Sequence, residues 1–146
     1  MLDYSAGDSS RAEGVMPHSR VGEADAGRGL ARECRQALAE AVSMLAATRE
    51  RIARGATRPA ASGRTLTPSE CVLADWRSAR PSVRDAVVEF GRLQSASHSP
   101  PERVLVLVKA AASDAGVDML REPERSVILA DVVHWSIEGY YAFPRA

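Results

Sequence analysis

Residues 99–146 constrain the fold most, because two dense apolar segments follow one another there behind a helix-start signal. Ser99-Pro100-Pro101-Glu102 has the form of a capping box. In such a box the Ser99 hydroxyl accepts from the Glu102 N–H, the Glu102 carboxylate reaches back to the Ser99 N–H, and Pro100 sits at the first helical position without losing a bond. The spacing predicts a helix over 100–115, capped at its C-terminal end by Gly116. The β-branched run Val104-Leu105-Val106-Leu107-Val108 sets a competing expectation, a buried strand over 103–108 in an α/β fold. On a helical wheel Glu102, Lys109 and Ser113 share one face with Val106 between them, while Val104, Leu105, Leu107, Val108, Ala111, Ala112 and Ala115 fill the rest. That apolar arc is wider than a surface helix needs.

The second segment repeats the pattern. Glu122-Pro123-Glu124 places acid where a helix N-terminus favours it, and the chain reads as a helix over 123–141, ending near Phe143-Pro144. At about 100° per residue, Asp131, His134 and Glu138 fall on one narrow stripe. Ile128, Leu129, Val132, Val133, Trp135, Ile137, Tyr140 and Tyr141 take most of the remaining circumference. A helix so apolar is either central in its domain or shared with a partner.

Earlier starts are also legible. Thr67-Pro68-Ser69-Glu70 is a second capping box, opening a short helix through Cys71, Val72 and Trp76. Ser82 to Asp85 has the S-x-x-D form ahead of Val83, Ala86, Val87, Phe90 and Leu93 at helical spacing, with Gly91 weakening that helix. Pro81 between them predicts a helical corner over 79–81. Ala31, Cys34, Leu38, Ala41, Leu45 and Ile52 recur at three- and four-residue steps, predicting a long helix over 29–54 with a shallow, alanine-rich seam. Residues 55–66 read as a flexible connection, and 1–28, poor in large apolar side chains, as a disordered tail. The expectation is an all-α protein: one helical domain over 29–143, a bundle of four to five helices with its compact part over 67–143.

Composition narrows the function classes. Formal net charge is zero, which gives the whole molecule no electrostatic reason to seek nucleic acid or an anionic membrane. No run approaches the ~20 apolar residues of a spanning helix, and the acidic N-terminus lacks a signal-peptide core, so the expected compartment is the cytoplasm. Cys34 and Cys71 fall on apolar positions of different predicted helices, as buried free thiols would. There is no metal-ligand cluster, phosphate-binding glycine loop or nucleophile motif, so no catalytic residue and no cofactor is assigned.

Three surfaces remain. The leading expectation is a non-enzymatic interaction or regulatory protein, pairing with itself or another protein through an apolar helical surface that includes Val106, Trp135, Tyr140 and Tyr141. The alternative is a polar site at Asp131, His134 and Glu138, whose i, i+3, i+7 spacing brings two carboxylates and an imidazole together for a metal or a phosphoryl group. His134-Trp135-Ser136-Ile137-Glu138-Gly139 resembles the phosphoacceptor region of histidine phosphotransfer domains. It departs from their H-x-L-K-G pattern: Glu138 brings negative charge where a lysine would help, and Gly139 comes one position late. The third is the basic stretch Arg49, Arg51, Arg54, Arg58 and Arg64, with Glu50 its one acidic member, which would contact phosphates of a nucleic acid weakly.

Overall fold

A computed structural model of the chain describes residues 20–142, with side chains from Arg28 onward, Leu30 aside. It is an all-α bundle of four helices: α1 Arg20–Ala53, α2 Pro68–Ala96, α3 Pro101–Asp114 and α4 Glu124–Tyr141, with a single 3-10 turn Val117–Met119 between the last two. The run 103–108 lies wholly within α3, so the strand alternative is not adopted. Helix α1 begins at Arg20, earlier than the expected 29, and the rest of the predicted tail lies outside the described residues.

Helix α2 is the central element, packed along both α1 and α4, while α3 closes the bundle against α4 and α1. Among the described residues of α1 the buried positions are Cys34, Leu38, Ala41, Val42, Leu45 and Thr48, so four of the six seam positions read from the sequence are buried, while Ala31 and Ile52 are half-buried. The buried apolar positions meet Val72, Trp76, Val83, Val87 and Phe90 of α2 and Ile128, Val132 and Trp135 of α4 in one continuous core. The Trp76 and Trp135 rings stack with centroids 6.0 Å apart and planes at 26°.

Two local expectations are corrected. Helix α2 runs through Pro81 without the predicted corner, and Ser82 to Asp85 start no new helix. Proline in a helix interior costs about 3 kcal/mol, but burying Val83, Val87 and Phe90 beyond it returns about 1.5–3 kcal/mol each, so packing wins. Both Pro81 and Arg77, whose carbonyl the missing N–H would have bonded, are exposed, which leaves that carbonyl open to water. Pro81→Ala is therefore expected to raise stability by about 1–3 kcal/mol, measured by urea denaturation; an unchanged or lower midpoint would mean that the proline is accommodated without cost.

The second correction concerns Ser99. Pro100, not Ser99, is the N-cap of α3, with no side-chain capping bond. A residue that precedes proline is pushed out of the helical region, and Pro100, ahead of Pro101, is extended at φ −67° and ψ 148°. The Ser99 carbonyl instead accepts from the Tyr140 hydroxyl at 2.6 Å, tying the start of α3 to the end of α4. The other signals hold. Thr67 and Glu70 form the reciprocal capping box of α2, and Gly116 follows α3 in the left-handed conformation at φ 96°. The 55–66 connection folds back on itself, with Pro59 and Thr65 bridged and the Leu66 N–H donating to the Arg58 carbonyl at 2.8 Å.

Candidate interaction surface

The placement of α4 decides which of its residues face outward. Gly91 of α2 and Gly139 of α4 let the two backbones approach until a methyl group would not fit: a Cβ on Gly139 would lie 2.1 Å from the Val88 carbonyl oxygen, and one on Gly91 2.3 Å from that of Ser136. The contact turns Ile128, Val132, Trp135, Ser136 and Tyr140 inward. Trp135 and Tyr140, expected as interface anchors, are therefore core residues, only 4% and 3% exposed.

The polar stripe is likewise turned toward α2. The Trp76 indole N–H donates to Asp131 at 2.8 Å, Arg80 pairs with the same carboxylate at 3.2 Å, and Arg84 pairs with Glu138. The Arg80 guanidinium also lies 5.5 Å from the centre of the Trp135 ring. Two of the three stripe residues thus clamp α4 to α2, and His134 is left exposed. Among the described residues no group of three His, Cys, Asp or Glu side chains is arranged to hold a metal ion.

The basic stretch is internally balanced. Arg49 pairs with Glu124, Arg54 with Glu50, Arg58 with Asp75 and Arg64 with Glu70, while Arg51 donates to the Thr48 hydroxyl at 3.1 Å. Such pairing works against the counterion release that drives phosphate binding. Burial alone would push the Asp75 carboxyl up, but hydrogen bonds from Thr48 and Arg58 outweigh it and hold the group below the usual carboxylate range. Glu70 is lowered by the Arg64 hydrogen bond and then by the Thr67 N–H. A folded value below the unfolded one adds stability at neutral pH that is lost as pH falls below about 4. Asp75→Asn is expected to flatten that acid limb of the stability curve in melts between pH 7 and 3; an unchanged limb would contradict the assignment. Both cysteines are free and buried, and burial pushes the Cys34 thiol up to about 11, against a smaller opposing effect of Arg35.

Beyond Ser126 in its first turn, α4 leaves exposed Val127, Ala130, His134, Ile137 and Tyr141, at steps of three, four, three and four residues. That is the a/d rhythm of a coiled-coil seam, carried for two heptads on the solvent side of a helix already packed on its other faces. Val127, Ile137 and Tyr141 are 37%, 41% and 65% exposed. Beside the seam a groove of about 230 Å³ runs between α3 and α4, lined by Pro101, Leu105, Ile137, Tyr140 and Tyr141. Val106, expected on the surface, is 66% exposed on α3. The sequence reading named Val106 and Tyr141 but missed Val127, Ala130 and Ile137 as a seam; their 3-4 spacing was present but indistinguishable from the other apolar positions of α4. No family model, curated protein or solved structure matches the chain. Among the described residues, no helix is long and apolar enough to cross a membrane.

Proposed function

We propose that the chain is an interaction protein that associates with a second copy of itself through the outward face of α4 and the adjoining α3–α4 groove. The observation that carries this reading is the exposed seam Val127, Ala130, His134, Ile137 and Tyr141. Surface apolar residues scattered singly need no explanation, but a heptad-spaced row along one helix is a packing surface. A zero net charge removes the long-range repulsion that keeps like molecules apart, which supports a second copy as the occupant. The activity would be regulatory or scaffolding, by presenting a paired helical surface.

Ile137→Glu tests this, because Ile137 is exposed and its replacement leaves the core intact. Sedimentation velocity is expected to show the wild type associating at micromolar concentration and the variant at least tenfold weaker, with matching helical circular dichroism. Equal association of the two would place any interface elsewhere on the molecule.

A further inference from the structure

We infer that the cleft between the end of α1 and the 55–66 connection is a binding site for a small phosphate-type oxyanion. Of the five arginines in the basic stretch, Arg51 alone has no carboxylate partner among the described residues. It lies on a cavity of about 220 Å³, which Thr48, Ile52, Thr57, Arg58 and Cys71 help to line. No acidic side chain lines that cavity. The site uses no residue of the outward α4 face.

Its donors are held by the fold itself. Arg51 donates to the Thr48 hydroxyl at 3.1 Å, and that hydroxyl donates to Asp75 Oδ2. Arg58 donates to Asp75 Oδ1 at 2.9 Å and to the Cys71 carbonyl at 3.5 Å. Both Asp75 oxygens are thereby engaged, and the four linked side chains carry two guanidinium charges against one carboxylate. The surplus charge is that of Arg51, which keeps four of its five N–H donors for a ligand. A helix C-terminus ordinarily repels an anion through its open carbonyls. Here the Ile52 carbonyl accepts from the Gly55 N–H at 3.0 Å and the Arg51 carbonyl from the Ala56 N–H at 3.1 Å, a turn that Gly55 permits at φ 96°.

Size and donor arrangement select the ligand. Pockets for drug-sized molecules run from ~300 to ~1,000 Å³, so this smaller one takes a compact ion or a single phosphoryl group. Guanidinium groups from α1 and from the connection, with the Thr57 hydroxyl beside them, offer donors to more than the two oxygens of a carboxylate, which favours a tetrahedral oxyanion.

Amide chemical shifts of the full chain, followed while inorganic phosphate is added at constant pH and ionic strength, test the site. Saturable shifts centred on residues 48–58 and Cys71 are expected. Arg51→Gln should weaken binding at least tenfold, whereas Arg54→Gln, in the same basic stretch but paired with Glu50 and off the cavity lining, should leave it unchanged. Both arginines are exposed, so neither change disturbs the core. Acetate should bind at least tenfold more weakly than phosphate. Shifts that never saturate, or equal weakening by the two variants, would reduce the effect to diffuse charge attraction and overturn the site. Acetate binding as tightly as phosphate would overturn the choice of ligand.

Discussion

Arg49→Leu is expected to lower stability by about 3–5 kcal/mol. Glu124 opens α4 with its side chain fully buried. Its Oε1 takes both an ion pair from Arg49 and a hydrogen bond from the Ser69 hydroxyl at 3.1 Å, joining α1, α2 and α4 at one point. Removing the guanidinium strands a carboxylate in the core. Neither Glu124 Oε2 nor Arg49 Nε has a hydrogen-bond partner among the described residues, so the junction is incompletely satisfied even when intact. The double variant Arg49→Leu, Glu124→Leu is accordingly expected to recover most of the loss, since an apolar pair of similar volume removes both charges. Urea denaturation of the two singles and the double measures the coupling. Additive losses would show that the buried pair is not the linkage described.

Gly139→Ala is expected to cost about 3 kcal/mol, against the ordinary direction of the substitution. In an exposed helix, alanine would stabilise by about 1 kcal/mol over glycine. Here the added methyl would meet the Val88 carbonyl oxygen at 2.1 Å, backbone against backbone, and the α2–α4 interface must separate to admit it. Because that contact orients the whole outward face of α4, the variant should lose association together with stability. A stabilised Gly139→Ala protein would contradict the close packing of α2 and α4.

These two positions show where sequence reading ends. The helices themselves were legible because apolar residues at helical spacing, the Thr67 capping box and Gly116 are local signals. Pro81 misled because its local cost is smaller than the burial that follows it in the same helix, and Ser99 because Pro101 holds Pro100 out of the helical region and makes it the N-cap. Glu124 looked like an ordinary N-terminal acid; its partner is 75 residues away, and nothing local announces the pairing. Gly139 had the look of a displaced motif residue, and only the proximity of Val88 gives its reason. For the candidate surface the difficulty was α4 itself. It is apolar around most of its circumference, so the wheel could not separate the residues used for the core from those left over. Once Trp76, Arg80 and Arg84 of α2 fix its rotation, Trp135 and Tyr140 turn inward and Val127, Ile137 and Tyr141 remain.

Light scattering coupled to size exclusion, on the full chain from low micromolar to hundreds of micromolar, tests the central claim most directly. The account predicts a mass rising from one chain toward two and stopping there, because a two-fold interface is closed. A mass of one chain at every concentration, or one that grows without limit, would contradict it.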